Sequence, residues 1–359
     1  MTTILSFKQA ARRATRVALA LIAGAALLCA CTQEDTPDAP DSGDRIPVTF
    51  SAGIESAAVT RTASSGETWI STDHIGIIMT RPGSKIGSSS EGILYENREY
   101  FPSDIGTNEQ DQSCATFTCV DGHVMYYPRT GEVNFYAYYP YTKIDDSGQM
   151  DSHYNYTIDL SDQSNPAAIN VLFAEKENVT RSRVPVEFSF MHVFAKVTLK
   201  VTAGDGLSAS DIAALKAEDV KMKFDNSDLV VVQLWSQGKA TRSKSATSPQ
   251  VSAYKESTAS DGVDATFSFI ILPGNHVETP VKFTIGGKDY TAKLPEGQWQ
   301  SQYNHVYPVT VRKTGANTKS RASVGDRICI EVGTCSIKSW EVENKDRGMV
   351  EKETSNSGI

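Results

Sequence analysis

The chain of 359 residues carries 35 Lys and Arg against 43 Asp and Glu, a formal net charge of -8, with 40% hydrophobic residues. That length supports two domains, each with a core of its own. The acidic balance, without any long basic run, excludes a nucleic-acid partner, because gripping a phosphate backbone requires clustered Lys and Arg.

Lys8, Arg12, Arg13 and Arg16 precede an apolar run from Val17 to Leu28. The run fits the roughly 7–15 residues of a secretory h-region and is too short to cross a hydrocarbon core of about 30 Å as a helix. It ends in Leu28-Cys29-Ala30-Cys31, the small-residue pattern at which a signal peptidase cuts beside a diacylglyceryl-modified cysteine. Residues 1–31 therefore read as a lipoprotein signal with Cys31 as the acylated residue. Against the alternative of a plain cleaved signal with Cys31 incidental, Leu28 at −3 and Ala30 at −1 both fit lipidation. Lipid on Cys31 would supply more than the two hydrophobic signals that stable anchoring needs. Residues 32–44, rich in Pro, Asp, Ser and Gly, cannot bury enough apolar area to fold and read as a flexible tether.

Beyond the tether the dominant signal is period-two alternation, which places inward and outward side chains on successive positions of a strand. It runs through Ile46 to Ile54, Ile75 to Met79, Val124 to Tyr127, Val133 to Tyr139, Tyr154 to Leu160, Val184 to Phe190 and Val193 to Val201. It resumes in Val220 to Phe224, Leu229 to Trp235, Ala265 to Leu272, Val281 to Ile285, Tyr290 to Leu294 and Val306 to Val311. Gly286-Gly287 predicts a tight hairpin, since both positions can take the positive φ of a primed turn. One short helix is expected within Ser208 to Ala217, from its Ser caps and an acid in the first turn. Ser236 to Asp261 reads as a Ser/Thr/Lys-rich loop.

Strands at these intervals with turns between them predict an all-β chain of two antiparallel β-sandwich domains in tandem. The polar break Arg181-Ser182-Arg183 sets the expected boundary, giving domains at 45–182 and 183–343 and a polar tail at 344–359. On the strand Phe135, Tyr136, Tyr138, Tyr139, one aromatic set is expected to fill the core and the other to lie on the surface. His192, within an apolar strand, reads as a core histidine.

After removal of Cys29 and acylation of Cys31, four cysteines remain: Cys114, Cys119, Cys329 and Cys335. Each pair is close in sequence and the compartment is oxidising, so local disulfides and buried thiols both stand open, and neither spacing suits zinc. Cys329 and Cys335 flank Gly333, where a hairpin would bring them together. No catalytic pattern emerges. The six histidines are scattered, and there is no HExxH, nucleophile elbow, phosphate loop or dinucleotide fingerprint. The acidic loop Asp145 to Asp151 lacks EF-hand spacing and reads as a solvated turn. No enzyme, metal or cofactor is expected.

Several ordered motifs carry a resemblance. Trp69-x3-Asp73-x-Ile75-Gly76-Ile77-x-Met79 leads to Tyr126-Tyr127-Pro128 and to Val133-x-Phe135-Tyr136-Ala137-Tyr138-Tyr139-Pro140-Tyr141. Val186-x-Phe188-x-Phe190-x-His192-x2-Ala195-Lys196-Val197 follows, then Phe269-Ile270-Ile271-Leu272-Pro273, Tyr303-x3-Tyr307-x-Val309-Thr310-Val311 and Ile337-x2-Trp340. The set resembles the fimbrillin family, the pilins of type V pili, with a departure at Ser301, where the family usually has Gly. The resemblance implies transthyretin-like sandwiches and a lipoprotein precursor delivered to the outer membrane and cell surface. It further implies that an Arg-specific protease removes the first strand and that other pilin subunits then donate a strand in its place. Arg61-Thr62, in a Ser/Thr-rich stretch behind the strand Ile46 to Ile54, matches that cleavage position, and such stretches are where nicking concentrates. The donor candidates lie in the alternating segment 327–342: Ile328, Ile330, Val332, Ile337 and Trp340. The expected role is adhesion, with a host or bacterial surface receptor as a further partner. The alternatives are a non-polymerising surface lipoprotein that binds glycan or host protein and, more remotely, a surface hydrolase.

Overall fold

In the computed structural model, which describes residues 45–54, 69–84, 86–87, 91–107, 113–120, 122, 124–144, 149–225, 227–256, 262–314 and 327–340, almost every element is a strand. The first eight are β1 (Phe50–Ile54), β2 (Ile75–Thr80), β3 (Ile93–Thr107), β4 (Ser113–Cys119), β5 (Glu132–Tyr139), β6 (Asn155–Asp159), β7 (Leu172–Thr180) and β8 (Val186–His192). Seven of them close into one sheet in the order β1-β4-β3-β2-β5-β7-β8, with β8 returning to β1. Closure leaves this sheet no free edge.

Alternation does what it predicts on β1, where Phe50, Ala52 and Ile54 are buried and Ser51 and Gly53 are half-buried between them. It does not on β2 and β5, because the sheet is covered on both faces there. Ile75, Ile77, Met79, Phe135, Ala137 and Tyr139 fill the inside of the closed sheet, whereas Ile78 and Tyr138 join a second core built from the rest of the chain. Tyr138 lies across Gly76 so closely that a Cβ there would come 2.2 Å from its ring. The aromatic set expected on the surface is therefore covered: Tyr138 is buried and Tyr136 packs partly against the second core.

The remaining strands are β9 (Ala195–Ala203), β10 (Val220–Lys223), β11 (Leu229–Gln233), β12 (Lys239–Arg242), β13 (Gln250–Ser252), β14 (Tyr254–Lys255) and β15 (Ala265–Ile271). β16 (Gly274–His276), β17 (Thr279–Ile285), β18 (Lys288–Leu294), β19 (Gly297–Trp299), β20 (Tyr303–Thr314), β21 (Arg327–Val332) and β22 (Ser336–Ser339) complete them. One sheet has the order β13-β10-β17-β18, another β14-β15-β9-β20 with β21 and β22 both on the outer side of β20, and the two bury a shared core of Val, Leu, Ile and Phe. Two smaller sheets, β12-β11-β6 and β16-β19, lie beside them. The Gly286-Gly287 turn is present, with φ of 57° and 74°.

The all-β, sandwich-type reading holds, with five local departures. β1 with β8 and β9 with β20 pair in parallel, because strands distant in sequence meet there instead of being joined by hairpins. β8, expected to open the second domain, completes the first sheet, and β6 pairs with β11 across the expected boundary. A second helix, α1 (Pro166–Ile169), precedes the expected one, α2 (Ala209–Ala213), whose Ser208 and Asp211 form a reciprocal capping box. The segment 236–261 holds three short strands, not loop alone. Val124 to Tyr127 makes only an isolated bridge, Tyr126 to Pro47.

Candidate assembly interface

β1 is held on both sides. Phe50 to Gly53 pair antiparallel with Phe117 to Cys114 of β4, and Phe50 to Ile54 pair in parallel with Val186 to Phe190 of β8. The residues before it are stitched in as well, by Val48 N–H to Met125 C=O at 2.9 Å, Tyr127 N–H to Ile46 C=O at 3.1 Å and Arg45 over the Tyr126 ring at 4.1 Å. Phe50, fully buried, is the centre of the inner core: edge-on to Tyr100 at 5.1 Å and to Phe135 at 5.3 Å, and stacked on Phe188 at 5.6 Å.

Trp69 closes over this strand. Its indole N–H donates to Ala52 C=O at 3.1 Å, and its ring meets Phe117, Tyr139 and Phe190 edge-on. Alternation marks Phe50 as inward but carries no sign of this long-range bond. Cys31, Arg61 and Thr62 lie outside the described residues; the chain between β1 and Trp69 is 55–68.

At the other end, β21 and β22 line one edge of β20. Val332 stands opposite Val309 and Ser336 opposite Val306, so the two strands run on in the same direction with one extra residue bulged between them. Ile328, Ile330 and Val332 pack partly buried against their own chain's core, while Ile337 is 54% exposed. Trp340, 1% exposed, stacks on His192 at the end of β8. The donor candidates are thus brought together on one edge, seated on this chain. Asp151, from the acidic loop, accepts N–H bonds from His153 and Asn155, as a turn residue does.

Of the two alternatives left open for the cysteines, neither local disulfide is formed among the described residues. Cys114 and Cys119 lie on one strand, five residues and so about 16 Å apart, beyond the reach of an S–S bond. Cys329 and Cys335 lack the hairpin that would join them, because Gly333 sits in the bulge, its N–H bonded to Pro308 C=O at 2.8 Å, and the edge runs straight on. Burial, followed by the neighbouring Cys119, raises the pKa of Tyr100, so its phenol stays neutral in the core. Among the described residues no cluster of His, Cys, Asp or Glu is suited to a metal.

The family model described as fimbrillin-like matches residues 60–340. The chain belongs to the fimbrillin-like family. It is accordingly a structural protein of the fimbrial type and not an enzyme. No curated protein matches this fimbrillin-like chain. Its fold is similar to that of a candidate cell adhesion protein from Bacteroides uniformis, with a TM-score of 0.58 at 20% identity over 84% of this chain and 100% of that one. A candidate cell adhesion protein from Bacteroides ovatus gives 0.57 at 21% identity over the same shares. Both are alike in fold.

Proposed function

We propose that this chain is the lipid-anchored precursor of a fimbrial subunit on the outer membrane surface, acylated on Cys31, cut after Arg61 and polymerised by replacing β1 with a strand from another subunit. The observation that carries the reading is the seat of β1. It is hydrogen-bonded on both sides inside a closed sheet, yet its only covalent link to the rest of that sheet runs through 55–68, where Arg61 lies. Cutting there and withdrawing the strand would vacate the places of Val48, Phe50 and Ile54, each worth roughly 1.5–3 kcal/mol of burial. The orphaned main-chain groups of β4 and β8 would cost about 1–3 kcal/mol each, so the slot would demand another alternating strand. The family match, which begins at residue 60 and so leaves β1 out, is in keeping with a separable first strand.

The donor in this reading is the segment from Arg327 onward, with Ile328, Ile330, Val332, Ile337 and Trp340 as its apolar positions. It would have to leave β20 to be donated. The likeness to candidate cell adhesion proteins supports adhesion as the fibre's role, toward a host or bacterial receptor. Replacing Arg61 by Ala tests the proposal: the variant should reach the surface as an untrimmed monomer, and its appearance in polymers would refute processing at this residue.

One observation favours a second reading. With Trp340 locked on His192, a chain that keeps its terminal strands would remain a monomeric surface lipoprotein binding glycan or a host protein. Trimmed protein that stays monomeric would select it.

A further inference from the structure

A trough runs beside β12, one edge strand of the three-stranded sheet, and reaches Met191 and His192 at the end of β8. The opposite wall comes from the segments around Pro273 to Val277 and Trp299 to Gln302. Two cavities, of about 280 and 200 Å³, adjoin in it with Pro273 as their shared partition. β12 gives Lys239 to the first and Arg242 to the second.

Gln237 and Gln302 line the first cavity with φ of 55° and 70°. Gly or Asn takes that left-handed conformation more cheaply, by about 1–2 kcal/mol against most other residues, and strain held in this way concentrates at ligand sites. The Gln237 side-chain N–H donates to Glu175 Oε1 at 3.0 Å, leaving its amide oxygen as an acceptor. In the second cavity the His276 ring lies flat on Trp299, with centroids 3.7 Å apart and planes 10° from parallel. His276 Nδ1 is tied to Val277 C=O at 3.1 Å, and burial holds its pKa down, so the pair is a neutral aromatic plate at neutral pH. Exposed Lys223 and Arg242 line the second cavity together with one acid, Asp225.

Each cavity is smaller than the roughly 300–1,000 Å³ that holds a drug-sized ligand, so each takes one compact unit, and two in line suit a polymer of such units. Paired amides match hydroxyl groups, a flat ring matches the C–H face of a sugar, and two cations against one carboxylate in the second cavity select negative charge. A peptide pairing along β12 fits less well. The strand has four residues, begins at Lys239 and ends at Arg242, and is closed off by the Gly238 turn and by the Ser243 N–H to Leu229 C=O bond, which blunt an edge. We propose that this trough binds two consecutive residues of an acidic oligosaccharide, one ring resting on the His276–Trp299 plate and its carboxylate or sulfate taken by Arg242 in the same cavity.

Calorimetric titration of the mature full-length chain tests it, with oligogalacturonate and chondroitin sulfate oligosaccharides as probes, maltohexaose as uncharged control and poly-glutamate as charged peptide. At least one acidic oligosaccharide should bind, the uronate and sulfate arms telling which anion is read, with maltohexaose about tenfold weaker or worse. Arg242→Gln should weaken binding about tenfold. Gln302→Gly relieves the left-handed backbone, so its melting temperature should stay level or rise while binding falls by a similar factor. No binding of either acidic probe, equal binding of poly-glutamate, or undiminished binding by folded Arg242→Gln and Gln302→Gly variants would each overturn the assignment.

Discussion

The indole of Trp340 lies flat on the imidazole of His192, with ring centroids 4.3 Å apart and planes 3° from parallel. The contact joins the segment that follows β22 to the last residue of β8, and β8 is also the parallel neighbour of β1. His192 Nδ1 is paired with Asn170 Oδ1 at 3.0 Å, which fixes the ring as a platform. Both ends of the described chain therefore rest on one strand.

Trp340→Ala should cost about 3–5 kcal/mol, because it removes a fully buried aromatic side chain. Among the described residues its indole N–H has no hydrogen-bond partner, so packing is what is lost. Limited proteolysis should then cut within 327–340 faster than in the parent. Unchanged protection would show that the stack does not anchor the terminal strands.

Burial, and after it the charge of Lys196, lower the pKa of His192 from 6.5 to about 3. Between those values the unfolded chain binds the proton that the folded chain refuses, so this contribution is fully present above about pH 6.5 and is lost as the pH falls toward 3. The slope is at most about 1.4 kcal/mol per pH unit. His192→Gln should flatten the fall in urea midpoint between neutral and mildly acid pH. What remains belongs in part to His276 and His305, both also lowered by burial. Identical slopes in variant and parent would exclude His192 as the source.

The seat of β1 can be loosened in two ways. Phe50→Ala should destabilise the uncut chain by about 3–5 kcal/mol through the cavity left among Tyr100, Phe135 and Phe188. Trp69→Phe keeps a ring in place but removes the indole N–H bond to the Ala52 carbonyl, at about 0.5–1.5 kcal/mol, and should speed departure of the strand after cleavage. Chemical denaturation gives the first, and native mass spectrometry after a protease pulse the second.

Peptide mapping of non-reduced protein should find Cys114, Cys119, Cys329 and Cys335 as thiols. A Cys329–Cys335 cross-link would mean that the terminal edge folds back as a hairpin and does not run straight along β20.

Much of this fold is legible in the sequence because a half-buried strand writes its burial as alternation. Phe50, Ala52 and Ile54 say so plainly, as does the Gly286-Gly287 turn. β3 escapes because its run includes Glu96, Asn97 and Arg98, puts Asn97 at φ 37° and bulges after Pro102, so its period breaks twice. β7 escapes because Glu175, Lys176 and Glu177 occupy its second half, where pairing to β5 and not burial keeps it extended. The parallel pairing of β1 with β8 leaves no local trace, since its partners are more than a hundred residues apart. The family motifs lead to Trp340, but only the fold shows that it lands on His192.

The central claim is that β1 is a removable placeholder, and the most direct measurement is the N-terminal residue of the polymerised protein at the cell surface. The account predicts Thr62, with β1 and the lipidated Cys31 absent from the fibre. Polymers whose subunits still begin at acylated Cys31 and retain Phe50 to Ile54 would contradict it.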